Sequence, residues 1–289
     1  MKLSLITDEA TQSFGQAVEL AKTWGLDGLE LRSVENQPID RIPQGTLAEW
    51  KKRLDREGLC VPCLSGSFFK CGIQEPEGPE LEKLERLCDG AEILGCGLVR
   101  GFAFFSPDGG ALPPEALAAR FDRPSQLLRR RGIRLLLEAD PSVNTSSHRG
   151  LAALLALLDR SVFGAVYDPG NELYSSSGER PYPDGYEAIR PWLAHVHVKD
   201  VVLEEGGPVC VAPGQGLVGW PAVLRRLARD GYEGWLSLEP HYRKGAALTE
   251  GQMRLPQGAG FTQGGLEAAA ESAAALRGLL DGMRKEDLA

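Results

Sequence analysis

Four segments in the second half of the chain end in residues that can hold a metal ion or move a proton. They are Leu135-Leu-Leu-Glu138, Ala165-Val-Tyr-Asp168, His195-Val-His197-Val-Lys199-Asp200 and Leu236-Ser-Leu-Glu239. Each is a short apolar run of the kind that forms a buried strand, with the polar residues toward its C-terminal tip. Side chains alternate along a strand, so parity can be checked. Glu239 shares a face with Ser237 while Leu238 takes the other, Asp168 shares one with Val166, and His197 shares one with His195 and Lys199. Adjacent strands lie about 4.8 Å apart, so four inward tips on consecutive strands can meet at one point. Glu138, Asp168, His197 and Glu239 would there make a site for one divalent cation. Oxygen-rich ligation favours Mn²⁺ or Mg²⁺, and the imidazole leaves Zn²⁺, Co²⁺ and Ni²⁺ open. Three carboxylates buried together without a cation would drive one another toward protonation. Singly, each has an ordinary explanation. Asp168-Pro169-Gly170 is a good turn sequence, and His195 at mid-strand suits a hydrogen-bonded core residue. The metal reading rests on position and parity taken jointly.

Positioning such tips requires a particular frame. Eight apolar runs (Leu3–Thr7, Gly28–Arg32, Leu59–Ser65, Leu98–Phe104, Ile133–Glu138, Val162–Asp168, Leu193–Lys199 and Gly234–Glu239) alternate with segments of helical periodicity. The helical segments are Phe14–Trp24, Leu47–Gly58, Leu81–Leu94, Pro114–Arg130, Gly150–Leu158, Tyr186–Arg190, Pro221–Arg229 and Leu266–Met283. The alternation predicts an α/β fold, a single (β/α)8 TIM barrel spanning 1–289. An open doubly wound sheet is disfavoured because no Gly-x-Gly-x-x-Gly follows an early strand. The tracts Gly66–Pro79, Tyr174–Gly185, Val201–Val218 and His241–Gly265 would rise from the C-terminal face of the barrel, where such folds place their chemistry. The last is long enough to suggest a lid over 241–265. Further polar groups follow the strand ends: Glu30, Arg32, Lys70, Arg100, Asn171, Lys199 and His241 are candidates to bind hydroxyls, a carboxylate or a phosphate, with Glu30, Lys70 and His241 the strongest. Phe68, Phe69, Phe102 and Phe104 are candidates for an apolar wall or for the core.

Composition narrows the class. The 289 residues carry 32 Lys and Arg against 40 Asp and Glu, a net charge of −8 that argues against a phosphate-tracking surface and so against nucleic acid. No run approaches the roughly 18 apolar residues of a spanning helix, which argues against a membrane. The amino terminus reaches Asp8 and Glu9 too soon for a signal peptide, so a cytoplasmic location is expected. Six cysteines are then free thiols, and Cys60-Val-Pro-Cys63 lies in an apolar run where residues three apart face opposite ways.

The chain resembles the xylose isomerase-like barrel superfamily, in particular its sugar phosphate isomerase/epimerase proteins. The resemblance covers almost the whole chain and is carried by Gly25-Leu-Asp-Gly-Leu-Glu-Leu-Arg32, Ser67-Phe-Phe-Lys-Cys71, Leu137-Glu-Ala-Asp-Pro-Ser-Val-Asn144, Asp168-Pro-Gly-Asn171, His195-Val-His-Val-Lys-Asp200 and Gly231-Tyr-Glu-Gly-Trp-Leu-Ser-Leu-Glu-Pro-His241. It implies metal ligands at Glu138, Asp168, His197 and Glu239, the four that parity selects, and an acid/base pair of Glu138 and Glu239 on opposite sides of a bound ketose. A cation polarising the carbonyl would stabilise a developing cis-enediolate while one glutamate removes a proton and the other returns one. The expected substrate is a sugar, sugar phosphate or keto-polyol, and a homodimer is one expected state. Gly214-Gln-Gly216 departs from the family's usual acidic sequence. The nearest alternative is dehydration of a cyclic keto-polyol, of keto-inositol or dehydroshikimate type. More distant are an abasic-site endonuclease, whose three zinc ions need more than the four histidines here, and a sugar-binding barrel without catalysis.

Overall fold

The computed structural model describes residues 1–107, 110–245 and 247–286, with side chains to residue 283. Eight parallel strands form the interior: β1 (Lys2–Ile6), β2 (Gly28–Glu30), β3 (Leu64–Phe68), β4 (Leu98–Gly101), β5 (Arg134–Glu138), β6 (Phe163–Tyr167), β7 (Leu193–Val198) and β8 (Trp235–Leu238). They pair in the order β2-β1-β8-β7-β6-β5-β4-β3. Between β2 and β3 the ladder is reduced to single bridges, Gly28 with Cys60 and Leu31 with Leu64. Leu29 N donates to Cys60 O and Ser65 N to Leu31 O, each at 2.9 Å, which draws the open edges together. The result is the expected (β/α)8 barrel, closed at one seam by isolated bridges.

Helices α1 (Phe14–Thr23), α2 (Gln44–Glu57), α3 (Glu77–Leu94), α4 (Asp122–Arg131), α5 (His148–Leu155), α6 (Trp220–Arg229) and α7 (Gly265–Glu286) surround it. Their limits follow local chemistry. The Ser13 side chain accepts from Gln16 N to start α1, and α2, α3 and α4 stop at Gly58, Gly95 and Gly132, all left-handed. The amphipathic stripe of α6 buries Trp220, Val223, Leu224 and Leu227.

Several boundaries differ from the sequence reading. The third strand is Leu64–Phe68, not Leu59–Ser65, because Pro62 has no amide hydrogen to donate and leaves only the bridge at Cys60. The second strand ends at Glu30, and the chain turns into a two-stranded ribbon of Ser33–Val34 and Gln37–Pro38. The segment read as one helix from Pro114 is broken into Pro114–Ala118, a single tight turn and α4. The tract Val201–Val218, read as a loop, contains an antiparallel hairpin of Asp200–Glu204 with Gly207–Val211. Within 241–265 stand two short helices, Glu250–Arg254 and Gly258–Thr262.

Register levels the functional tips. Val166 pairs with Glu138 on one side and His195 on the other, and Ser237 pairs with His197. Asp168 therefore stands two residues above the Glu138 level, and Glu239 two above His197, all directed inward.

Candidate active site

The lowest polar layer joins β2, β3 and β7. Glu30 is fully buried, with its carboxylate 2.7 Å from His195 Nε2 and 3.0 Å from His197 Nε2. The Ser65 hydroxyl also donates to it. His195 is thus a hydrogen-bonded core residue, as its mid-strand position suggests. Glu30 is a correction: expected to meet substrate, it lies beneath the cavity, with both its oxygens already taken.

Above this floor, His197 turns its other nitrogen into the barrel mouth. Nδ1 lies 3.1 Å from Glu138 Oε1 and 3.2 Å from Glu239 Oε2. One ligand atom each from Glu138, Asp168, His197 and Glu239 lies within 4.8 Å of the others, and all four residues are buried. Two further clusters share members with this one: Glu30, His195 and His197 beneath it, and Glu9, Glu239 and His241 beside it. No cysteine joins any cluster among the described residues; Cys60 is exposed and Cys63 buried.

Each of the three carboxylates meets a buried cation. Arg100 Nη1 lies 3.0 Å from Glu138 Oε2, Lys199 Nζ 2.7 Å from Asp168 Oδ2, and Arg32 Nη1 2.5 Å from Glu239 Oε1. Lys199 Nζ also donates to Asn171 Oδ1 at 3.0 Å, and Asn171 Nδ2 to Ala139 O at 3.0 Å. Arg32 is shared with Asp8 and Glu9, at 3.0 and 2.8 Å, and Glu9 lies 2.7 Å from His241 Nδ1. Further out, Lys70 Nζ pairs with Asp140 Oδ2 at 2.7 Å.

These contacts set the charge states. Burial alone would raise Glu138, but Arg100 and His197 outweigh it and hold its carboxyl below the usual range. Glu239 is likewise held well below by Lys199, His241 and His197 in spite of burial. Burial pushes Asp168 up to about 7 against the pull of Lys199, with Glu239 and Glu138 adding repulsion. His197 is carried well above its ordinary value, since Glu30, Glu138 and Glu239 outweigh its desolvation. Such a cluster favours any positive charge, and a divalent ion would compete with the imidazole proton for it.

The donor set fits such an ion. It comprises three carboxylates and one neutral-capable imidazole, whose far nitrogen is already engaged by a carboxylate that fixes the ring. In addition, Glu239 Oε2 is buried without a hydrogen-bond partner; His197 Nδ1 and Lys199 Nζ approach it at 3.2 Å, and neither is aligned to donate.

A cavity of about 630 Å³ opens above the cluster. Arg32, Lys70, Arg100, Glu138, Asn171, Lys199, Glu239 and His241 line it, and Leu248, Met253 and Leu255 from the 241–265 tract form part of its rim. Of the four phenylalanines considered for a wall, Phe102 reaches the cavity; in the core Phe68 stacks on Phe69, which meets Phe104 at a tilt. Phe69, Phe104 and His241 have left-handed backbones, with φ of 57°, 60° and 54°, each just past a strand tip at the mouth. Conformations of this kind cost energy and concentrate at functional sites.

Sequence reasoning missed Asp8, Glu9, Asp140 and Arg243. The rule that selected Glu138 could have found the first two, since they follow β1 as Glu138 ends β5. Arg243 joins Glu9 at 3.4 Å through a long connection with no periodic signal.

Comparison with known proteins places this geometry in context. A family model described as the xylose isomerase-like TIM barrel matches residues 18–277. Among curated proteins, the inosose dehydratase of Klebsiella pneumoniae subsp. pneumoniae is 25% identical over 177 residues, 52% of this chain and 58% of that one. Among solved structures, the IOLI protein with a bound zinc atom superposes with a TM-score of 0.74 at 16% identity, over 98% of this chain and 99% of that one. A D-tagatose 3-epimerase-like protein does so with a TM-score of 0.73 at 16% identity, over the whole of both chains. Among the described residues, no helix is long and apolar enough to cross a membrane.

Proposed function

The chain belongs to the xylose isomerase-like TIM barrel family, and from that premise we propose that it is a divalent-metal-dependent enzyme that removes a proton beside the carbonyl of a sugar or keto-polyol. The observation that carries the reading is the convergence of Glu138, Asp168, His197 and Glu239 within 4.8 Å at the floor of a cavity lined by polar side chains. Those four would hold the ion, with His197 using Nδ1 while Nε2 engages Glu30. Bound there, Mn²⁺ or Mg²⁺ (or Zn²⁺ or Co²⁺) would act as a Lewis acid toward a substrate carbonyl oxygen.

The chain's own groups supply the rest. Glu138 and Glu239 both line the cavity, so one carboxylate can take a proton and the other return one. Returned to the opposite face of the same carbon, the proton gives an epimer; returned to the neighbouring carbon, it gives an isomer. Arg100 and Arg32 each bind one oxygen of their glutamate and so orient it. Lys199 and Asn171 line the cavity, and their donors hold Asp168 Oδ2, Asn171 Oδ1 and Ala139 O in place.

Dehydration is a second reading, favoured by the inosose dehydratase relative. The chain spans 58% of that protein's length. The first step would be shared, and the outcome would differ in losing a hydroxyl from the adjacent carbon.

The test is to reconstitute the protein with Mn²⁺, desalt it, count metal per chain, and follow solvent deuterium uptake by a panel of ketoses and keto-polyols in D₂O. We expect one ion per chain. Glu239→Gln is expected to lose that ion's tight binding and at least ~10²-fold in exchange rate. Full exchange in Glu239→Gln would overturn the assignment, and release of water from the substrate would select dehydration.

A further inference from the structure

The second short helix of the 241–265 tract, Gly258–Thr262, is fastened to the loop that follows β1. The Thr262 hydroxyl donates to Asp8 O at 2.8 Å, and Gln12 Nε2 donates to that hydroxyl at 2.8 Å. Just beyond the helix, a Cβ at Gly265 would stand 2.0 Å from Glu9 O, so the two segments approach too closely for any side chain there. Phe261 is the buried residue of the helix. Its carbonyl accepts from Arg243 Nε and Nη2 at 3.1 and 2.6 Å. Two guanidiniums lie over its ring, Arg243 at 4.6 Å and Arg32 at 4.9 Å from the centroid. An aromatic face attracts a guanidinium, most strongly where water is excluded.

Arg32 divides its donors among three carboxylates. Nε meets Asp8 at 3.0 and 3.2 Å, Nη2 meets Glu9 at 2.8 Å, and Nη1 meets Glu239 at 2.5 Å. Asp8 and Glu9 are neighbours on one loop, whereas Glu239 follows β8. Two of the three acids therefore pull the guanidinium toward the β1 side, and its reach to Glu239 depends on the plane in which it is held. A ring over its face fixes that plane and keeps water from competing for the donors. Arg243 Nη1 lies 3.4 Å from Glu9 Oε2, which ties the same acid to the 241–265 tract.

We propose that Phe261 is a positioning residue for Glu239: its ring holds the Arg32 guanidinium in the plane from which Nη1 reaches Glu239 Oε1, so that seating of the helix Gly258–Thr262 aligns the carboxylate that moves a proton. The catalytic part rests on the reading of Glu239 as an acid/base group at the metal cage; the clamp of Phe261 on Arg32 belongs to the metal-free chain.

The experiment has two arms. The first needs neither metal nor substrate: proton–nitrogen correlation spectra of the arginine Nε–H groups in the full chain, with the Arg32 signal assigned from Arg32→Lys. That signal is expected to be shifted by the Phe261 ring current and protected from solvent exchange. In Phe261→Leu it should lose the ring-current shift and exchange about tenfold faster, and Phe261→Tyr, which keeps the ring, should restore both. Thr262→Val, which removes the tie to Asp8 O, should give the same change in smaller measure and replaces Phe261→Leu if that variant fails to fold. The second arm follows deuterium uptake by the ketose and keto-polyol panel on the Mn²⁺-loaded proteins. Phe261→Leu is expected to lower kcat roughly 10- to 100-fold, with KM and the Mn²⁺ content per chain unchanged and with rescue by Phe261→Tyr. An Arg32 signal untouched by Phe261→Leu would overturn the clamp and leave the metal cage standing. A signal that moves while kcat does not would overturn the positioning of Glu239. Wild type that retains no Mn²⁺ would overturn the cage reading and the catalytic part with it, and the first arm would still decide the clamp.

Discussion

Glu30→Gln tests how the metal site is supported from beneath. The Glu30 carboxylate serves three buried donors: His195 Nε2 at 2.7 Å, His197 Nε2 at 3.0 Å and the Ser65 hydroxyl. A glutamine offers one acceptor oxygen and turns an NH₂ group toward the remaining donors, so at least one imidazole N–H is left unpaired in the core. A buried group left unsatisfied costs about 1–3 kcal/mol. The effect on metal is separate. A carboxylate on the far nitrogen of a ligating histidine sets its tautomer and orientation, and loss of such a partner weakens metal binding by roughly 10–100-fold, or about 1.4–2.7 kcal/mol. Titration of Mn²⁺ into metal-free wild type and variant by calorimetry should show that loss with the stoichiometry kept at one. Thermal unfolding of the two metal-free proteins should show the stability difference alone. An unchanged Mn²⁺ affinity would refute the orienting role. Complete loss of the ion in Glu30→Gln with retention in Glu239→Gln would place it instead among Glu30, His195 and His197, the lower cluster.

Two further predictions concern the frame. Asp200 accepts from the backbone amides of Val201, Gly214, Gly216 and Val218 at 2.8–3.2 Å and so folds the tract before α6. Asp200→Asn, with one oxygen in place of two, should cost about 3 kcal/mol in urea unfolding, and a loss below ~1 kcal/mol would show that the loop holds itself. Glu172 accepts from His148 N at 2.9 Å and the Ser177 hydroxyl at 2.8 Å. Burial would raise its carboxyl, but the His148 side chain and these donors hold it below the ordinary 4.5. A depressed acid stabilises the fold above its unfolded value and loses that contribution as pH falls through the folded one. The stability gap between wild type and Glu172→Gln should therefore be full at pH 7 and shrink below about pH 4.5; a gap constant from pH 7 to 3 would contradict the pairing.

The barrel and its four-residue cluster were legible in the sequence because both depend on local periodicity. Alternating apolar runs and helical stripes specify strands and helices, and a strand's period of two says which tips face inward. Glu138, Asp168, His197 and Glu239 needed nothing more than that parity and the order of their strands. The Lys199 and Asn171 positions followed from the same tips. Tertiary structure alone decided which charge meets which. Arg32 reaches Glu239 across 207 residues and His195 meets Glu30 across 165, and no periodic pattern encodes a pairing between side chains on different strands. Parity put Glu30 inward, but only the register of β2 against β1 and the bridges to β3 set its depth, which made it a support for two histidines instead of a cavity residue. The third strand began late because Pro62 withdrew one donor from a run that was otherwise apolar. Arg243 and Arg254 lie in the 241–265 tract, where neither helical nor strand periodicity points anywhere; their places were fixed by packing against Phe261 and Phe105, contacts that exist only once the barrel has closed.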